Sequence, residues 1–356
     1  MSNRLIKLLR ICGILLLTVA LSACGRLAYY AHSINGHLTI MSQRQDIDKL
    51  RKDPKTDAKL KQKLRKVQQI RQFASKELLL PDNKSYKKYA DLKRPYVVWN
   101  VVAAPEFSVK PKTWCFLFSG CINYRGYFSK DKAQQFADKL KAQGLDVTIG
   151  GVTAYSTLGW FADPVLNTFI HYPTPRLAGL IFHELAHQKI YVKSDSAFSE
   201  SLATTVELEG TRRWIQRYDS NANFQSYLER KNRQRQFVIL VQKYRTKLER
   251  HYEKTQNIKE KREGKKNLFR QMQAEYRILK KGWGNYPGYD AWFAQDLNNA
   301  HLASVGTYHN YVPALQELLR RTKGNLQAFY REAEKLAALP EQQRKQRLQQ
   351  MGSHPD

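Results

Sequence analysis

Long apolar runs are nearly missing from this chain. The one clear case, Ile11 to Leu21, is too short to cross a bilayer as a stable anchor. It follows a basic start with Arg4, Lys7 and Arg10 and ends in Leu21-Ser22-Ala23-Cys24, which reads as a signal peptide (1–23) whose cleavage exposes Cys24 for acylation. Several acyl chains on Cys24 give durable anchoring, where a single chain is marginal. Gly25 stands where an inner-membrane retention signal has aspartate, so the expected location is the outer membrane of a Gram-negative cell, facing the periplasm. Cysteine is also scarce, with four in 356 residues. Cys12 leaves with the signal and Cys24 is lipidated, which leaves Cys115 and Cys121. No second thiol pair is present to complete a cysteine-rich zinc site with them. In an oxidising periplasm they are expected to form a disulfide closing a small loop, which sets local geometry more than it adds stability.

Acidic residues are few: 31 Asp and Glu face 60 Lys and Arg, a net charge of +29. Nucleic acid is the usual partner of so basic a chain. A periplasmic location and the lack of any nucleic-acid fold signature exclude it here. Anionic lipid, lipopolysaccharide phosphates or acidic wall polymers are the available partners, and a merely solvated basic face is the alternative.

Breakers are sparse between about 221 and 281, where lysine, arginine and glutamine dominate. Leu228, Phe237, Leu240, Val241, Tyr244 and Leu248 recur at helical spacing, as do Leu268, Met272, Tyr276 and Leu279. That pattern predicts a long basic helical hairpin bent near Gly264. Earlier, residues 26–80 read as two basic amphipathic helices broken near Asp53-Pro54. Tyr96 to Val102, Ile122 to Phe128 and Asp146 to Val152 have the β-branched and aromatic character of strands. Gly150-Gly151 in the last allows close backbone approach by an extended peptide at a sheet edge, or an ordinary bulge. Ser129 caps a helix reaching about Gln143. The expected division is N-terminal helices (24–92), a core of mixed sheet plus one decisive helix (93–220), the arm (221–285), C-terminal helices completing a cleft (286–340) and a flexible charged tail (341–356). The fold class is α+β, mainly helical.

The decisive helix is marked by Thr174 as N-cap and Pro175 at the first helical position. Within it lies His183-Glu184-Leu185-Ala186-His187-Gln188. Residues four apart share a helix face, so His183 and His187 can direct ring nitrogens at one zinc ion. Glu184 projects beside them, placed to take a proton from water rather than to bind the metal. A short turn leads to a second helix carrying Glu200 and Glu207. Antiparallel packing at about 1.5 Å rise per residue puts Glu200 level with His187, and Glu207 level with or beyond His183. Glu200 is therefore the expected third ligand. Glu207 is the expected orienting partner of His183, or else a solvated helix glutamate.

The pair His183-Glu184-Leu185-Ala186-His187-Gln188 and Ser199-Glu200-Ser201-Leu202-Ala203 resembles the H-E-L-A-H-Q and N-E-x-x-A elements of gluzincin aminopeptidases. The spacing is shorter than in the large enzymes of that kind. It is closer to a proteobacterial family of predicted aminopeptidase lipoproteins. Pro95 to Asn100, Ala104 to Phe107, Tyr124 to Phe128 and Ala154 to Phe161 are similar to that family as well. Ser199 departs from the pattern, which has asparagine there. The resemblance implies a zincin-like core and a peptidase with one zinc, acting on peptide substrates. An oxyanion donor is expected among His301, Tyr308, His309 and Tyr311, with Tyr308 preferred. Glu106 and Asp163 are candidates to hold a substrate α-amino group. A different class of function, a basic envelope-binding scaffold with a structural or vestigial metal site, would have no need of Glu184 and would take four protein ligands.

Overall fold

The computed structural model describes residues 27–116, 120–154, 156–193, 195–218, 221–254, 257–305 and 311–352. It is α+β and mainly helical. The expected readings at Cys24 and at residues 1–23, together with Tyr308 and His309, lie outside the described residues.

The chain opens with helix α1 (27–42), short β1 (Gln45–Asp46), α2 (Ile47–Lys52) and α3 (Ala58–Lys76). Asp46 and Asp57 cap α2 and α3 by accepting backbone N–H groups. After β2 (Lys88–Ala90) come β3 (Val98–Pro105), β4 (Trp114–Phe116), β5 (Gly120–Ile122), β6 (Arg125–Tyr127), α4 (Lys130–Lys141), β7 (Leu145–Val152) and β8 (Val165–Leu166).

The strands divide into three small sheets rather than one mixed sheet. β6-β3-β7 is antiparallel, β1-β2-β8 contains the parallel pair β2/β8, and β4/β5 is a hairpin. Cys115 and Cys121 lie directly opposite in that hairpin and are bonded to each other. β3 is buried on both faces, which explains its nearly continuous apolar run. Trp99, Val101 and Ala103 pack with Ala133, Ala137 and Leu140 of α4.

The strand immediately before the motif helix is β8, with β7 one strand earlier. Residues 153–164 intervene, tied down by Asp163 and Thr157. β7 is an edge strand, and its two glycines differ. A Cβ on Gly151 would stand 2.4 Å from the Tyr96 ring, whereas Gly150 faces open space.

Two long helices follow, α5 (Thr174–Lys189) and α6 (Ser196–Tyr218), then α7 (Asn221–Lys254) and α8 (Ile258–Gly282). α7 and α8 pack through their own core of Phe237, Leu240, Tyr244, Leu248, Met272 and Tyr276. Gly264 is not a bend. It lies inside α8, where a Cβ would come within 2.2 Å of the His251 ring. The helices α9 (Asp290–Phe293) and α10 (Asn299–Ser304) join that same core through Phe293 and Leu302, so the arm does not end at 285.

The last three helices, α11 (Val312–Arg321), α12 (Leu326–Ala338) and α13 (Glu341–Gly352), pack on the main core with α3, α5 and α6. The expected flexible tail is therefore corrected for 341–352: it is helical, with Arg344 and Leu348 buried. Charge hid this, because Arg344 reads as solvent-facing until its partners are known. Its Nε donates to Asp195 at 2.8 Å and its Nη1 to the carbonyls of Ala337 and Leu339. Asp195 in turn accepts the Phe198 N–H at the start of α6. Arg344→Ala strands a half-enclosed carboxylate and is expected to cost about 3–5 kcal/mol. A urea midpoint equal to that of the parent chain would show α13 to be loosely docked.

Candidate metal centre

α5 begins one residue earlier than expected. Pro173 is the N-cap, Pro175 falls in the first turn, and no side chain caps the helix. α5 is locked against α6 at close range. A Cβ on Gly179 would stand 3.0 Å from Thr211 Oγ1, and one on Gly210 would stand 2.6 Å from Leu78 and 2.8 Å from Phe182. Ser199 clasps the intervening turn: its hydroxyl accepts from Val192 N at 3.0 Å and lies 3.3 Å from Val192 O. Serine here holds the backbone that delivers Glu200, so the departure from asparagine leaves the carboxylate in place.

This packing converges His183, His187 and Glu200, whose ligand atoms all lie within 4.8 Å of one another. His183 Nε2 and His187 Nε2 are 3.2 Å apart. Glu200 Oε2 lies 3.3 Å from His183 Nε2, and Oε1 lies 3.5 Å from His187 Nε2. Donors about 2.05 Å from a tetrahedral ion stand about 3.3 Å from each other. The observed separations match that edge. Two imidazole nitrogens facing each other so closely beside a carboxylate fit a shared cation better than mutual hydrogen bonding. Among the described residues no fourth His, Cys, Asp or Glu joins the set.

Glu207 sits behind His183, with Oε2 3.4 Å from His183 Nδ1. Its other oxygen meets Lys231 Nζ at 2.5 Å and the Tyr227 hydroxyl at 3.1 Å, both from α7. Burial alone would push the His183 imidazolium down. The carboxylates of Glu200, Glu207 and Glu184 outweigh it and hold its pKa up near 10. Burial would raise Glu200 and Glu207, yet their cationic neighbours hold both well below the usual carboxylate range. Glu184 differs: burial pushes its carboxyl up, opposed by the two histidines.

Other expected site residues fall elsewhere. Glu106 pairs with Arg262 of α8 at 2.7 Å. Asp163 lies near enough to Glu184 to feel its charge, and burial raises its pKa to about 6. Its oxygens already accept from Thr157 N and Thr157 Oγ1, both at 2.9 Å, so it shapes the 156–163 loop. His301 is a buried member of the α10 capping box, and burial lowers its pKa to about 4. Tyr311 stands beside the start of α6, its N–H donating to Ser201 Oγ at 3.2 Å.

One aromatic at the centre went unread in the sequence. Tyr191 stands edge-on to His187 with ring centroids 5.9 Å apart and is 42% exposed. Burial and the Glu200 carboxylate raise its pKa, so it keeps its proton at neutral pH. The signal was its spacing of four from His187, the same spacing that relates the two histidines. Gln188, next to His187, accepts from Asn83 Nδ2 at 2.7 Å and lies 3.3 Å from Ser85 Oγ, fixing the wall beside α5.

Residues 28–348 match the profile of a family described as "Putative aminopeptidase". The chain belongs to that family. No curated protein and no solved structure matches it. The centre itself holds two histidines, a glutamate reaching both and an adjacent half-buried carboxyl.

Proposed function

We propose that this family member is a zinc-dependent peptidase with a zincin-like core, acting as an aminopeptidase on peptides in the periplasm. The reading rests on one observation above others: three donors at tetrahedral-edge spacing, with no fourth among the described residues, beside Glu184. A structural zinc takes four protein ligands, so a three-ligand set favours chemistry over a scaffold role. His183, His187 and Glu200 would hold the ion. When bound, zinc polarises the scissile carbonyl and makes an attacking water more acidic.

The chain's own groups do the rest. Glu184, its carboxyl pKa raised by burial against the pull of the two histidines, accepts the proton of the attacking water and passes it to the leaving amine. Glu207 fixes the His183 ring from behind. Tyr191 is a protonated hydroxyl-bearing ring beside His187 and serves as donor to the developing oxyanion, while Tyr308, the residue expected in that role, lies outside the described residues. Tyr191→Phe is then expected to lower kcat about 10²–10³-fold with KM little changed. An unaltered kcat would remove Tyr191 from the mechanism.

The decisive test is metal analysis of the chain from Gly25 combined with hydrolysis of a mixed peptide library. About one zinc per chain is expected, with cleavage that stops on chelation. Stoichiometric zinc without cleavage of any peptide would favour the scaffold reading.

Among the described residues no helix is long and apolar enough to cross a membrane. Anchoring through acylated Cys24 is part of the proposal, with the outer membrane as the site. Cys24→Ala should abolish incorporation of labelled fatty acid, and equal labelling of both proteins would rule the anchor out. For the basic α7/α8 arm, a merely solvated face is preferred to contact with anionic lipid or lipopolysaccharide. Its charge is partly neutralised, by Glu275 of α8 on Lys243, and from outside the two helices by Asp290 of α9 on Lys280 and Asp146 of β7 on Lys265.

A further inference from the structure

The inner face of α1 is packed: Tyr29 stacks on Phe116 at 5.4 Å, and a Cβ on Gly36 would stand 2.3 Å from Phe128. Its outer face is apolar too. Leu27, Ile34 and Leu38 are 74%, 59% and 57% exposed, and with Ala31 they form one stripe at helical spacing. At about 100° per residue, His37 lies about 60° from Ile34 around the helix. The Phe161 ring packs on His37 with centroids 4.5 Å apart, and Arg44 donates to Ala162 O at 3.0 Å. The 156–163 loop therefore continues the apolar stripe.

At its tip, Trp160 is 86% exposed. This projection is built into the backbone. Leu158 and Gly159 both have positive φ, at 55° and 84°, and Thr157 Oγ1 accepts the Phe161 N–H at 3.1 Å. A shallow cavity beneath the two aromatics is lined by Arg44, Lys84, Lys87 and Lys88. The one carboxylate in that lining, Asp46, accepts the N–H groups of Asp48 and Lys49 and so caps α2.

An amphipathic helix, a projecting Trp-Phe pair and a lysine rim are complementary to the interface of an anionic bilayer. The sequence favours that occupant over a second copy of the chain. Cys24 and the apolar run Ile11 to Leu21 immediately precede Leu27. With Cys24 acylated, as proposed above, α1 begins three residues after the anchor, at a membrane surface. We propose that the outer face of α1 and the Trp160-Phe161 tip form a bilayer-docking surface, its lysine rim binding anionic headgroups. The same loop borders α5 at Gln188, the residue after His187, where a Cβ on Gly159 would stand 3.6 Å from the Gln188 side chain. Docking therefore sets the candidate cleft close to the membrane.

The arm is a separate surface. Lys265 and Arg262 of α8 hold Asp146 and Glu106 at one end of the β3/β7 pair, while the docking loop leaves the other end after Val152. An eight-residue strand spans about 26 Å, several Debye lengths of roughly 8 Å.

The test uses the chain from Gly25, which retains every described residue without the anchor, in sedimentation with phosphatidylcholine vesicles with and without phosphatidylglycerol at about 0.15 M salt, where that screening length holds. The parent chain should bind the anionic vesicles. Trp160→Ser with Phe161→Ser, and separately Ile34→Ser with Leu38→Ser, should each weaken binding about tenfold or more. Lys84→Glu, Lys87→Glu and Lys88→Glu together should remove the preference for anionic lipid, since each lysine at such a surface is worth roughly fivefold. The matched arm variant Lys247→Glu, Arg250→Glu and Lys254→Glu should stay within about twofold of the parent, given the screening distance. No vesicle binding at that salt overturns the proposal, as does binding lost only in the arm variant. A dimer that Leu38→Ser dissociates, without vesicle binding, would assign the face to a second copy. Substrate is not needed, so this surface and the peptidase reading can fail separately.

Discussion

Glu184→Gln should keep zinc and lose turnover by about 10²–10⁴-fold, whereas His183→Ala and His187→Ala should lose the ion itself. The separation follows from position. The two histidines present Nε2 atoms 3.2 Å apart toward Glu200, while Glu184 stands outside that donor set among the described residues. Its environment suits proton transfer, because burial raises the carboxyl while the neighbouring histidines hold the rise in check. Glutamine preserves the shape and removes only the proton acceptor. Metal content and kcat measured on the same preparations distinguish the roles. Full activity in Glu184→Gln would end the general-base assignment and leave the metal site standing. Zinc retained by both histidine variants would end the site.

Glu200→Ala should weaken zinc binding more than Glu207→Ala, for which a loss of about 10–100-fold is expected. Glu200 contacts both histidines on their Nε2 side, with one carboxylate oxygen toward each. Glu207 reaches only Nδ1 of His183 and is itself held by Lys231 and Tyr227. Glu207→Ala therefore releases the orientation of one ring and leaves Lys231 without its carboxylate, so some loss of stability should accompany the loss of affinity. Competition with a chelator across both variants gives the order. A reversed order would make Glu207 the ligand and Glu200 the outer partner.

The local chemistry of the centre was legible because its parts are close in sequence and helix geometry is periodic. Four-residue spacing puts His183 and His187 on one face, and helix rise across a short turn separates the positions of Glu200 and Glu207. Glu207 could be expected to orient His183. That it also receives Lys231 and Tyr227 was not legible, because those residues arrive from α7 by helix packing. Asp163 and Glu106 show the opposite case. Each looked available to a substrate amine, and each is engaged by groups that sequence distance conceals, Thr157 in its own loop and Arg262 across 156 residues.

Periodicity in this chain determined the helical character, the existence of the strands β3, β6 and β7, and the placing of His183, Glu184 and His187 on one helix. Those properties depend on neighbours within a few residues, where backbone geometry leaves few choices. Tertiary structure decided the division of the strands into three sheets, the placement of β8 before α5 and the docking of α9 and α10 on the arm's core. It also decided that Arg344 is buried and that Gly264 admits the His251 ring. An arginine is solvent-facing or buried according to whether carbonyls and a carboxylate converge on it. Here that convergence depends on Asp195 meeting a helix 149 residues away, which no local pattern encodes.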